Sequence, residues 1–182
     1  MFISKVGFEL YCEILQEEVG LEKSENLNKK TLSIVVDCSL EIEEGYIQDR
    51  SVRLDFYFRL SKTKSMVDFL KIKENILDRF GRLPKVTERL FFVTQIKLLF
   101  NKTCIDKVDI KDRSLSLTLG GLGGFKTLEN LFKSIDSFKS DNYDGFHYKK
   151  DFSGNLVLFF SVKNMDRAFF VLFEIEPLFN NV

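Results

Sequence analysis

At Ile105 the apolar period of this chain changes, and that change limits its fold more than any other feature. Before it, apolar residues recur every three or four positions, as on one face of a helix. From it onward, stretches of alternation appear, as on one face of a strand. Val108 and Ile110, then Leu115, Leu117 and Leu119, predict a hairpin turning near Asp112-Arg113. A helix is expected from about Thr127 to Phe138, with Leu128, Leu131, Phe132 and Ile135 inward. The pattern then recurs: Phe146–Tyr148 and Leu156–Phe160 flank a Ser153-Gly154-Asn155 turn. Asn164 caps a last helix carrying Phe169, Phe170, Leu172 and Phe173. Two hairpin–helix (ββα) units are too few for a solenoid. They imply an α+β fold, an antiparallel sheet with helices packed on one face, preceded by an N-terminal helix.

The first hundred residues are read as mainly helical. Phe8, Tyr11, Ile14, Leu15 and Val19 line one face of a helix over Val6–Val19, and residues 20–30 read as a polar linker. Residues 1–30 are accordingly set apart from a domain over 31–182. Thr31 to Ile42 is β-rich, with Leu32, Ile34 and Val36 alternating and Leu40 and Ile42 resuming the alternation. Asp49 or Ser51 is placed to cap a helix that turns Leu54, Phe56, Tyr57 and Leu60 inward. Ser65 to Phe80 is the clearest helix. Ser65 and Asp68 form a capping box, and Phe69, Ile72, Ile76 and Phe80 form an apolar stripe widened by Leu70 and Leu77. Lys71, Glu74, Asn75 and Asp78 share its polar face. Gly81 then provides a left-handed cap, and Leu83, preceding Pro84, is biased away from helix. Lys85 to about Lys102 forms a further helix, apolar over most of its circumference.

Little in the sequence points to catalysis. His147 is the only histidine, which excludes a histidine-based metal cluster. A couple between Cys104 and His147 has no supporting signature, and Cys12, Cys38 and Cys104 read as reduced thiols. The Gly120–Gly124 loop sits between strand and helix, where a phosphate loop would sit. It lacks the Gly-Lys-Ser/Thr ending, and Phe125 stands where the helix amides need open approach. Glu41, Glu43 and Glu44 read as a solvated strand end. No apolar run approaches the ~20 residues of a membrane span. Lys and Arg number 27, as do Asp and Glu, but residues 1–50 hold 5 cations against 11 anions. An acidic first third beside a mildly basic remainder suits a protein-contact module better than a nucleic-acid footprint, which would cluster its cations.

Three blocks, in register over roughly residues 6–119, carry a family resemblance. Val6-Gly7-Phe8-Glu9-Leu10-Tyr11-Cys12-Glu13-Ile14-Leu15 resembles the segment after the translocase motor of the bacterial transcription-repair coupling factors (Mfd). Arg53-Leu54-Asp55-Phe56-Tyr57-Phe58-Arg59-Leu60 is similar to that family's "RL-x-x-Y-x-R-L" helix. Leu77-Asp78-Arg79-Phe80-Gly81-Arg82-Leu83-Pro84 resembles its "L-x-DRFG-x-LP" signature. The resemblance implies the C-terminal domain of a bacterial, cytoplasmic factor of nucleotide excision repair. Such a factor drives along double-stranded DNA with ATP and Mg, displaces stalled RNA polymerase and recruits UvrA. The ATPase motifs are absent here, so no cofactor and no enzymatic activity are expected of this chain. It also implies an autoinhibitory clamp: the domain packs on the N-terminal UvrB-like domain, masks the UvrA-binding surface and restrains the translocase. Asp78 matches the family's acidic contact position. A second acidic position, one turn earlier, is Asn75 here, with Glu74 beside it and Lys71 on the same face. An accessory nucleic-acid-binding module is the alternative.

Overall fold

The computed structural model describes residues 32–120, 125–137 and 140–179. The expected N-terminal helix, the 20–30 linker and residues 121–124 of the glycine-rich loop lie outside the described residues. In chain order the elements are β1 (Ser33–Val36), α1 (Arg50–Lys62), α2 (Met66–Phe80), α3 (Lys85–Phe100), β2 (Ile105–Lys111), β3 (Ser114–Leu119), α4 (Phe125–Ser137), β4 (Tyr143–Lys150), β5 (Leu156–Val162) and α5 (Met165–Phe179). They fall into two compact units. One is helical and spans Cys38–Leu98; the other joins residues 32–37 to those from Leu99 onward.

The helical unit closes around aromatic and branched side chains. Phe56, Tyr57 and Leu60 of α1, Phe69, Ile72 and Ile76 of α2, and Leu90, Phe91, Val93 and Ile96 of α3 are all buried. Phe69 and Phe91 meet with ring centroids 5.9 Å apart. Two polar groups are buried with them, and both are satisfied. The Thr94 hydroxyl donates to the Leu90 carbonyl at 3.1 Å, and the Thr87 hydroxyl donates to the Glu41 carbonyl at 3.1 Å. Asp49 caps α1 as expected, its carboxylate accepting from the Ser51 N–H at 2.8 Å.

β1 is shorter than its apolar alternation implied. It ends at Val36, and Leu40 and Ile42 are buried in the helical unit without belonging to a strand. The Ile42 N–H is satisfied by the Tyr57 hydroxyl instead of by a ladder.

The sheet unit has strand order β1-β2-β3-β5-β4. Both hairpin–helix units form as read, with β2 pairing β3 and β4 pairing β5 antiparallel. The expectation of a wholly antiparallel sheet needs correcting, because β1 joins β2 parallel and makes the sheet mixed. One sheet face holds Val108, Ile110, Leu115, Leu117, Leu158 and Phe160, all buried, and α5 runs across β2, β3, β4 and β5. Asn164 caps α5 by accepting from the Arg167 N–H at 3.1 Å. The register assigns the opposite face to Lys107, Asp109, Ser116, Thr118, Phe159, His147 and Lys149.

Candidate functional site: the outer face of the second helix

α2 is fixed at both ends by its own sequence. At its start the Asp68 N–H donates to Ser65 Oγ at 3.1 Å, and the Ser65 hydroxyl donates to Asp68 Oδ2 at 2.7 Å. Ser65 thus caps the helix as expected, but Asp68 closes the pair on the Ser65 hydroxyl rather than on its backbone N–H, a variant of the capping box. At its end the Gly81 N–H donates to the Leu77 carbonyl at 2.8 Å, with Gly81 at φ 79°. A Cβ on Gly81 would meet nothing within 4 Å, so the backbone conformation, not space, calls for glycine here. The Pro84 carbonyl then accepts the first helical bond of α3, from Glu88 at 2.8 Å.

Aromatic packing holds this joint. Phe80 meets Tyr46 and Phe56 edge-on, with centroids 6.0 and 6.2 Å away. The Arg79 guanidinium lies over Phe80 at 5.0 Å and Phe56 at 5.9 Å. The Tyr46 hydroxyl donates to the Gly81 carbonyl at 2.7 Å and straps the turn down. Burial pushes the Tyr46 phenol above its ordinary pKa.

With Phe69, Ile72 and Ile76 turned inward, the rest of α2 faces water. Lys71, Glu74 and Asp78 are exposed, and among the described residues none of the three has an ion-pair partner. Asn75 differs from them. It is half-buried, and its amide oxygen accepts from Arg59 Nη1 at 3.4 Å, while Arg59 also pairs with Asp55 at 3.6 Å. Of the four expected contact residues, three therefore share an open face and the fourth is turned toward α1.

The same face carries three apolar residues, two of which, Leu70 and Leu77, the periodicity placed in a widened core stripe. Val67 is 62% exposed, Leu70 54% and Leu77 37%. Leu70 follows Phe69 and Leu77 follows Ile76, so each stands about 100° around the helix from a core residue. The packing of Phe69, Ile72 and Ile76 against the core fixes that rotation. Beside the N-terminal half of the face, an open groove of about 340 Å³ between α1 and α2 is lined by Phe58, Arg59, Lys62, Asp68 and Lys71, with Thr63 and Ile72. The face thus has an apolar ridge, carboxylates toward its C-terminal end, and an N-terminal end where three cations outnumber the one carboxylate of Asp68. It can take arginine or lysine from a partner at one end and carboxylates at the other.

Among the described residues, no three or more His, Cys, Asp or Glu side chains gather as metal ligands, and no helix is long and apolar enough to cross a membrane. An α+β scaffold that turns an apolar and charged helix face outward has the build of a domain that meets other macromolecules. The comparisons with known proteins specify which. The family described as "TRCF domain" matches residues 36–121, a span holding α1, α2, the glycine joint, α3 and the β2–β3 hairpin. The transcription-repair-coupling factor of Haemophilus influenzae is 30% identical over 173 residues, covering 85% of this chain and 14% of that protein. That of Rickettsia typhi is 32% identical over 113 residues, covering 60% of this chain and 10% of that protein. A solved structure, titled as the C-terminal domain of a transcription-repair coupling factor, shares the fold. Its TM-score is 0.63 at 18% identity, over 81% of this chain and 92% of that one. The chain belongs to the bacterial transcription-repair coupling factor family and corresponds to its C-terminal, TRCF-type domain. It spans about a tenth to a seventh of the length of these curated relatives.

Proposed function

We propose that this domain is the autoinhibitory latch of a transcription-repair coupling factor. In this reading the outer face of α2 packs on the UvrB-like N-terminal domain of the same factor, masks the UvrA-binding surface and restrains the DNA translocase. The domain itself turns over nothing; ATP and Mg belong to the motor, and RNA polymerase and duplex DNA are met through the parent protein. The observation that carries the reading is the open ridge of Val67, Leu70 and Leu77 beside Glu74 and Asp78.

The energetics suit a reversible contact. Covering the exposed parts of those three apolar side chains is worth about 2–5 kcal/mol, from ~1.5–3 kcal/mol for a fully buried one. Each exposed ion pair adds ~0–1 kcal/mol. Moving a two-state balance from 1:99 to 99:1 takes ~5.5 kcal/mol. The face reaches that range without exceeding what a motor's conformational change could undo. The test is made in the full-length factor. Asp78→Arg should raise capture of UvrA in the absence of polymerase, and capture equal to wild type would contradict the reading.

A further inference from the structure

The tip of the β4–β5 hairpin presents a bare aromatic ring from a fixed loop. The Asp151 carboxylate accepts from the Ser153 and Asn155 N–H groups, both at 2.9 Å, and from Asn155 Nδ2 at 3.1 Å. The Asp151 N–H donates to the Asn155 carbonyl at 2.9 Å, and the Gly154 N–H donates back to the Asp151 carbonyl at 3.0 Å. Gly154 takes φ 83°, which closes the turn. Within this frame Phe152 has a relative accessibility of 113%. A loop already held in one conformation loses little entropy when its exposed ring is covered.

The approach to the tip is basic. Lys149 and Lys150 precede it, are both exposed, and flank the tip from opposite faces of the strand. Lys149 lies on the sheet face opposite Phe160 and Leu158, its ammonium 4.7 Å over the Phe159 ring. The exposed His147 ring lies parallel to Phe159 at 5.0 Å. The register places Lys149, Val157, Thr118 and Lys107 in one row across the strands. Three strand spacings make that row about 14 Å long. Asp109 offsets part of its charge, lying 3.4 Å from the Lys107 ammonium.

We propose that the β4–β5 hairpin binds single-stranded nucleic acid, with Phe152 stacking on an unpaired base and Lys149 and Lys150 holding the flanking phosphates. Aromatic rings interleaved with cations are the surface on which single strands stack and track. In a duplex the base faces are closed to a ring at a hairpin tip. A protein partner is disfavoured because interface cores enrich aromatics and deplete lysine, whereas here two lysines precede the ring. A lipid surface is disfavoured because one phenyl ring lacks the apolar face by which interfacial segments insert. No residue of α2 takes part, so this proposal and the latch stand or fall separately.

The chain contains no Trp, so Phe152→Trp adds a single fluorescent reporter at the tip. Titration with oligothymidylate or oligouridylate should quench it, whereas a duplex of equal length should quench it much less. With labelled oligonucleotide and the unlabelled chain, Phe152→Ala should weaken binding about 5- to 150-fold, the range measured per stacked base. Replacing Lys149 and Lys150 together by Ala should flatten the slope of log affinity against log salt by about 1.4. An absence of binding at low salt would overturn the proposal. So would wild-type affinity in Phe152→Ala, or a blue shift on phosphatidylglycerol vesicles without quenching by either oligonucleotide.

Discussion

Replacing Gly81 by alanine isolates the backbone demand at the joint between α2 and α3. The glycine sits at φ 79° and ψ −156°, outside the regions open to a residue with a side chain. A Cβ would touch nothing within 4 Å, so no steric clash enters the estimate. Backbone strain of this kind costs about 1–3 kcal/mol. Alanine recovers about 0.4–1 kcal/mol by restricting the unfolded chain. The net loss should be about 1–2 kcal/mol, and it grows if the turn relaxes enough to break the Tyr46–Gly81 bond at 2.7 Å. Gly45→Ala is the control, since Gly45 lies in the same unit, has no positive φ, and also has nothing within 4 Å of its added Cβ. In urea, with a slope of about 2 kcal/mol per molar, Gly81→Ala should lower the helical unit's midpoint by about 0.5–1 M. A midpoint loss no larger than that of Gly45→Ala would refute the conformational argument.

Tyr46→Phe should cost about 0.5–1.5 kcal/mol by removing the donor to Gly81. Because burial raises the Tyr46 pKa in the folded state, the unfolded chain gives up its phenol proton first as pH rises. This contribution is therefore intact below the ordinary phenol pKa of about 10 and is lost as pH climbs from there through the raised folded-state value. Tyr46→Phe should remove that part of the alkaline slope in denaturation curves, and an unchanged slope would contradict it. Asp49 and Asp151 work in the opposite sense. A hydrogen bond from the Ser51 side chain leads those that depress Asp49, and one from the Asn155 side chain leads those that depress Asp151. Each contribution is present above the ordinary carboxylate range and is lost as pH falls below it, which Asp49→Asn should blunt in an acid titration of α1 helicity. Asp151→Ala should speed amide exchange at Ser153 and Asn155 and leave exchange in α2 unchanged; protection equal to wild type at the tip would contradict the Asp151 frame.

Much of the fold was legible because caps and turns are local chemistry. Asp49, Ser65 and Asn164 each put a side-chain oxygen where a cap was expected, Gly81 takes a positive φ as expected, and Gly154 lies in the expected turn. Strand direction was not legible, since β1 carries the same alternation whether it joins β2 parallel or antiparallel. Nor was the end of β1: Leu40 and Ile42 continue the alternation, but they are buried by helices rather than by a sheet. At the candidate site the polar face was readable and its apolar part was not. Leu70 and Leu77 adjoin core residues in sequence, and only the rotation of α2, fixed by packing of Phe69, Ile72 and Ile76, turns them outward. Asn75 shared the spacing of its exposed neighbours, but the reach of Arg59 from α1 is tertiary and leaves no local trace.

A calorimetric titration of this chain against the isolated UvrB-like domain of the same factor tests the latch most directly. Wild type should bind, with a negative heat-capacity change from covering the apolar ridge. Leu70→Ser combined with Asp78→Arg should abolish that binding while leaving the chain's unfolding midpoint near wild type, because both positions are exposed. No binding by wild type, or equal affinity and heat-capacity change in the double variant, would contradict the account.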